Sequence, residues 1–186
     1  MRIISGFLKG KKIDFPKSGT TRPLRDSIKE NIFNIINHSN LINVKLESAN
    51  ILDLYSGVGS FGIECVSRGA KKSTFVEKDN KAFIVLKQNL NNLKIEEYSE
   101  VFNEKTTLFF NRSDNKNKFE IIFFDPPFAE NLFIAELRTI KDSLIYRKKH
   151  LIIIHRESNS DDELEKKMNI LITRNYGRSK IIFGTF

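Results

Sequence analysis

Residues 51–62 read ILDLYSGVGSFG. A β-rich apolar run empties into Gly57, Gly59 and Gly62, spaced G-x-G-x-x-G directly after a strand and at the start of a helical pattern. That context raises a weak pattern to a useful one. Glycines let the chain turn tightly there and bring backbone close to a ligand. Glu77 follows Gly57 by 20 residues (77 − 57), at the end of the next predicted strand. A carboxylate in that place can accept hydrogen bonds from both hydroxyls of a ribose. The stretch predicts a parallel strand-helix-strand unit with an adenosine-type ligand at its carboxyl end.

Two ligands share such an end. A dinucleotide would set its pyrophosphate on the helix N-terminus, whereas S-adenosylmethionine presents a methionine ammonium and carboxylate instead. Asp53, at the end of the apolar run, can bind an ammonium but repels a pyrophosphate, which tilts the reading to S-adenosylmethionine. Tyr55 is placed for ligand contact in the same turn.

Outward from this unit the alternation continues. Helices are predicted over 61–68 and 80–93, strands over 73–76 and near Val101, and a polar loop over 111–118. Residues 121–124 and 151–154 are unbroken apolar runs, as expected of strands covered on both faces. Helical spacing covers 132–144, and the charged run 161–167 reads as a solvated helix. Strands at 170–173 and 180–183, separated by Asn175-Tyr176-Gly177-Arg178, suggest an antiparallel hairpin at one sheet edge. Upstream, residues 2–15 alternate loosely around a basic Lys-Gly-Lys-Lys turn, which suggests a short β-hairpin. A lone hairpin is not stable in water, so it must pack on the domain or on a partner, with Lys9, Lys11, Lys12 and Lys17 as a positive rim. An amphipathic helix starts at Asp26.

At 186 residues the chain fits one domain, since ~100–200 residues per domain is usual. Lys and Arg number 31 against 23 Asp and Glu, a net charge of +8 that favours a polyanionic partner such as nucleic acid. The single cysteine, Cys65, reads as a small core residue, and with three scattered histidines it forms no zinc pattern, so no metal is expected. No apolar run reaches the length of a signal peptide or a membrane span, and the expected location is cytoplasmic. His155 reads as a satisfied strand-end residue rather than a base.

The second informative stretch is 121–128, IIFFDPPF. Two prolines lock the backbone extended and remove two amide donors, leaving the Asp125 carboxylate and carbonyl oxygens as pure acceptors. Such a cluster suits a planar exocyclic amine of a nucleobase, whose nitrogen lone pair is delocalised into the ring. Two N–H groups held by Asp125 and the Pro126 carbonyl would aim that lone pair at a methyl group. Phe128 is placed to stack on the base. A sulfonium methyl is already activated, so positioning does most of the work.

Taken together, RIISGFLKGKKI, TRPLRDSIKENIFN, DLYSGVGSFGIE, FVEKD, DPPF and YGRSKIIF resemble the RsmD-like 16S ribosomal RNA (guanine-N2) methyltransferases of bacteria over nearly the whole chain. The resemblance implies an α/β, Rossmann-like class I S-adenosylmethionine-dependent methyltransferase fold. Its sheet would be doubly wound, seven-stranded and mostly parallel with an antiparallel last strand, preceded by the N-terminal β-hairpin. Residues 1–186 would form a single methyltransferase domain, 1–24 as hairpin and loop extension and 25–186 as catalytic core. The expected activity is methylation of the exocyclic N2 of one guanine in 16S rRNA, within a small-subunit particle, by a monomer. By position the resemblance implies cofactor contacts at Asp53, Gly57, Gly59 and Glu77, and base contacts at Asp125, Pro126, Pro127 and Phe128. It sets Arg22 near the site and Arg25, with Lys9, Lys11 and Lys12, near RNA phosphates, which carry affinity but little sequence information. One departure stands out: where the family usually has an Asp or Asn for the adenine amino group, VFNEKTTLFF places Lys105, with Asn103 and Glu104 just before it. The alternatives are an adenine-N6 methyltransferase on DNA or RNA, a non-catalytic RNA-binding assembly factor and, lowest, a nicotinamide-dependent dehydrogenase.

Overall fold

The computed structural model describes residues 1–16, 24–112, 118–127 and 132–186. Strands β1 (Asn50–Leu54), β2 (Lys72–Val76), β3 (Ser99–Phe102), β4 (Phe119–Phe124), β5 (Tyr146–Glu157), β6 (Asn169–Tyr176) and β7 (Ser179–Thr185) form one sheet in the order β3-β2-β1-β4-β5-β7-β6. The first five are parallel, and β7 runs antiparallel between β5 and the edge strand β6. The strand order reverses between β1 and β4, and in such sheets that reversal opens a crevice at the carboxyl ends of the strands.

Helices α1 (Asp26–His38), α2 (Ser60–Ser67), α3 (Asn80–Leu93), α4 (Thr106–Phe110) and α5 (Leu132–Ser143) flank the sheet. Successive strand residues point to opposite faces. Ile51, Ile121, Phe123, Leu151 and Ile153 pack with Ile28, Ile32, Phe33 and Ile36 of α1 and Phe61 of α2. Leu52, Leu54, Ile122, Phe124, Ile152 and Ile154 pack with Phe133, Leu137 and Ile140 of α5. Burial on both faces explains the unbroken apolar runs. On the α1 side the rings of Phe33, Phe61 and Phe123 stack in series, with centroids 5.5 and 4.0 Å apart. Cys65 lies fully buried in the same cluster, where burial pushes its thiol pKa up, so it is a core residue.

The structure corrects the reading of four segments. The predicted helix over 161–167 is only a tight turn at Leu164–Lys166. Asp162 is drawn off by Arg156, Glu163 takes a left-handed φ of 44°, and Leu164 turns into the core. The strand predicted over 151–154 extends back to Tyr146, its first half disguised by Arg147, Lys148 and Lys149. Helix α4 was not predicted; five residues are too few for a helical period to show.

The N-terminal segment forms one antiparallel bridge, Arg2 to Lys12, rather than two strands. It is held to the body of the protein by Glu64 of α2, whose carboxylate accepts from the amides of Ile4 (2.9 Å) and Ser5 (3.0 Å) and from Arg68 Nε (2.8 Å). Lys29 Nζ of α1 lies 3.5 Å from the same carboxylate, and both side chains are fully buried. Ile3, Leu8 and Ile13 pack beneath the segment against α2 and α3. Removing one partner of a buried pair leaves the other charge uncompensated. Glu64→Ala is therefore expected to destabilise the protein by about 3–5 kcal/mol, read from the urea unfolding midpoint; a loss below about 1 kcal/mol, the scale of an exposed pair, would contradict this clasp.

Candidate active site

The crevice at the carboxyl ends of β1, β2 and β4 is a cavity of about 500 Å³. Its floor is built by the glycine turn. Gly57 and Gly59 adopt left-handed φ of 54° and 85°, and Gly59 immediately precedes α2. Gly62 is required by crowding, because a Cβ there would meet the Phe75 ring at 2.3 Å and Asp53 Oδ2 at 3.1 Å. That closeness lets the Gly62 amide donate to Asp53 Oδ2 at 2.9 Å. Glu77 braces the turn, Oε2 accepting from the Gly57 amide and Oε1 from the Asp79 amide, both at 2.7 Å. A carboxylate has about four lone-pair sites, so Glu77 keeps acceptor capacity on each oxygen.

The floor is acidic and buried. Burial, reinforced by the charges of Asp125 and Glu77, raises the Asp53 pKa well above the ordinary carboxylate range despite the Gly62 amide. Burial also raises Glu77, against the amides of Asp79 and Gly57. Ser56 lines the cavity with a buried hydroxyl that has no partner among the described residues. At the mouth, Arg25 and Arg178 line the same cavity but are exposed. Acid inside and base at the rim suit a small cationic ligand within and a polyanion outside.

The Asp-Pro-Pro turn leaves β4 beside β1, with the Asp125 amide donating to Leu54 O at 3.3 Å. Asp125, Pro126 and Pro127 line the cavity. Asp125 Oδ1 lies 2.8 Å from His155 Nδ1, and His155 Nε2 lies 2.9 Å from Ser179 Oγ. His155 is thus satisfied on both nitrogens, as expected, but its partner is the carboxylate singled out for chemistry. Arg156 donates to Pro127 O at 3.3 Å and pairs with Asp162. Phe128 lies outside the described residues.

Tyr55 takes a left-handed φ of 58° and lines both this cavity and a smaller one of about 120 Å³. Its hydroxyl donates to Glu136 Oε2 at 2.7 Å, and Thr106 donates to the other oxygen of that buried carboxylate. Glu104 and Lys105 line the smaller cavity. Asn103 lines neither cavity and donates to Glu77 O at 2.9 Å. Of the basic residues singled out, Arg25 reaches the cavity mouth, Lys9, Lys11 and Lys12 are exposed on the N-terminal segment and do not line it, and Arg22 lies outside the described residues. Sequence reasoning missed Ser56, His155, Tyr176, Arg178 and Ser179 as lining residues. For Tyr176, Arg178 and Ser179 the signal was present in YGRS, which reads as a turn and as part of the resemblance but not as a site. Among the described residues no group of three or more His, Cys, Asp or Glu is placed to hold a metal ion, and no helix is long and apolar enough to cross a membrane.

Comparison with known proteins adds to this geometry. The model of one protein family, described as "Conserved hypothetical protein 95", matches residues 1–185. The chain is similar to the ribosomal RNA small subunit methyltransferase D of Buchnera aphidicola (subsp. Acyrthosiphon pisum), 32% identical over 94% of this chain and 83% of that one. It is likewise similar to the protein of that name from Haemophilus influenzae, 33% identical over 86% of this chain and 80% of the other. A solved Escherichia coli structure, described as a candidate methyltransferase, superposes with a TM-score of 0.84 at 25% identity, covering 100% of this chain and 97% of that one.

Proposed function

The chain belongs to the family that this model defines, among relatives named small-subunit ribosomal RNA methyltransferases, and from that premise we propose that it methylates the exocyclic N2 of a guanine in 16S ribosomal RNA, using S-adenosylmethionine. The observation that carries the reading is the convergence of Asp53, Glu77 and Asp125 on one cavity, two as a buried floor and one on an acceptor-only turn.

The residues present fit the cofactor. Asp53, buried in the cavity floor with the Gly62 amide on Oδ2, would hold the methionine ammonium. Glu77 would take the ribose hydroxyls on its remaining lone pairs. The orphaned Ser56 hydroxyl would meet the methionine carboxylate, with Gly57 and Gly59 giving close approach and Tyr55 packing alongside. Glu104, which lines the smaller cavity, would accept from the adenine amino group; Asn103 bonds Glu77 O through Nδ2 only, so its Oδ1 would be the other acceptor nearby. When bound, S-adenosylmethionine supplies a methyl carbon on a positively charged sulfur, which leaves with the C–S electron pair.

The chain's own task is to present the amine. Asp125 and the Pro126 carbonyl would accept its two N–H groups and turn the nitrogen lone pair towards the methyl; after the N–C bond forms, Asp125 would hold the displaced proton. Pro127 keeps the turn rigid, and Phe128 would stack on the base. Arg25 and Arg178 at the rim, with Lys9, Lys11, Lys12 and Arg22, would meet RNA phosphates. We take the substrate to be rRNA within a small-subunit particle and the protein to act as a cytoplasmic monomer.

The reading is tested by incubating the protein with methyl-labelled S-adenosylmethionine and small-subunit rRNA or particles, then digesting to nucleosides. Label in N2-methylguanosine is the expected result. Label in N6-methyladenosine, or none on either substrate, would overturn it.

A further inference from the structure

Asp125 can accept an amine only if its carboxylate is held in one rotation and its backbone does not give way. Both conditions are met by consecutive residues of β5, whose side chains point to opposite faces of the sheet. On one face His155, 8% exposed, reaches Asp125 Oδ1 at 2.8 Å and is itself fixed by Ser179 Oγ at 2.9 Å. On the other, Arg156, 1% exposed, reaches Pro127 O at 3.3 Å, braced by both oxygens of Asp162 at 3.0 and 3.1 Å and by the face of Phe133 at 4.6 Å. The turn is held by its side chain from one side and by its backbone from the other.

We infer that His155, backed by Ser179, is a positioning residue for methyl transfer: it holds Asp125 Oδ1 and so turns Oδ2 towards the acceptor amine. The inference rests on the function proposed above and deepens it. With Asp125 ionised, Nδ1 is the donor in the first bond. A neutral ring then accepts the Ser179 hydroxyl at Nε2, and a charged ring donates to Ser179 Oγ, so either state keeps both contacts. Ser179 opens β7, which pairs antiparallel with β5 through His155 and Ile181 and through Glu157 and Ser179. The antiparallel last strand therefore supplies the group that fixes the ring, tying the sheet's edge to the chemistry. A carboxylate free to rotate would lose the near-attack arrangement, and small misplacements of that kind carry large rate costs.

The test compares wild type, His155→Ala, His155→Asn and Ser179→Ala in labelled methyl transfer to small-subunit rRNA, with calorimetric S-adenosylmethionine binding as the check on folding. Asn places an amide N–H near the position of Nδ1. His155→Ala is expected to lower kcat at least about tenfold, the scale of one charge-assisted hydrogen bond, with KM and cofactor affinity within about twofold. His155→Asn should recover most of the loss, and Ser179→Ala should show a smaller fall in kcat. The inference is overturned if His155→Ala keeps wild-type kcat, if His155→Asn is as slow as His155→Ala, or if the loss lies in KM or cofactor binding alone. Failure of the underlying reading shows separately, as wild-type protein that does not methylate the rRNA.

Discussion

Asp125→Ala lowers kcat by about 10²–10⁴, the range for removing a positioned proton acceptor, while S-adenosylmethionine still binds. The expectation follows from where the residue sits. Asp125 is half-buried at the mouth side of the cavity, its amide still part of the β1–β4 ladder, so truncation leaves the turn in place. The Asp53 and Glu77 floor is untouched apart from the loss of one neighbouring negative charge, which modestly eases ionisation of Asp53. An amine deprived of the carboxylate keeps its lone pair in the ring and has nowhere to leave its proton. Single-turnover methyl transfer alongside cofactor calorimetry checks the split. Turnover within about threefold of wild type would overturn this role for Asp125, since an acceptor acting only in the transition state must appear in kcat.

Asp53→Asn is expected to weaken S-adenosylmethionine binding by about 10- to 100-fold, the worth of a hydrogen bond to a charged group at roughly 1.5–3 kcal/mol, and to remove a pH dependence. The sign follows from the raised pKa. In the ligand-free protein, burial and the charges of Asp125 and Glu77 make ionised Asp53 costly, so it takes up a proton at a pH above the ordinary carboxylate range. The stability penalty for the ionised form is present above that pKa and is relieved as pH falls through it. A bound ammonium favours the ionised form and draws the pKa back down. Affinity should then be level above the free-protein pKa and fall by up to about tenfold per pH unit below it, with one proton released on binding. Calorimetry in buffers of different ionisation enthalpy counts that proton. Asn, which can still accept from the Gly62 amide, should show the weaker affinity without the Asp53 slope, whereas an unchanged slope would assign it to another group such as Glu77, which burial also raises.

The parts of the site that were legible in the sequence are those whose chemistry is local. Gly57 and Gly59 are demanded by a turn only a few residues long, and Asp125-Pro126-Pro127 is an acceptor cluster by composition alone. Glu77 was legible because the strand-helix-strand unit has a nearly fixed length. The residues that hold this chemistry in place were not legible, because they arrive from far along the chain. His155 is 30 residues from Asp125 and 24 from Ser179, and Glu64 is 60 from Ile4. Nothing in 151–157 marks His155 as anything but a strand-end residue until β4 and β7 are laid on either side of β5. The same tertiary pull explains the lost helix at 161–167: its charges suggest a solvated helix, but Asp162 answers a buried Arg156 that the local pattern does not contain. At the Lys105 departure, Glu104 and Lys105 line the smaller cavity, while Asn103 lines neither cavity and donates through Nδ2 to Glu77 O.

We propose that one cavity joins a floor for S-adenosylmethionine to an acceptor turn that takes a guanine amine. The most direct test is mass mapping of modified nucleotides in small-subunit rRNA from cells with and without this protein. The expected result is one N2-methylguanosine that disappears when the protein is absent and returns with the wild-type chain but not with Asp125→Ala. An unchanged set of rRNA modifications, or the loss of a methyl group from any base other than guanine, would contradict it.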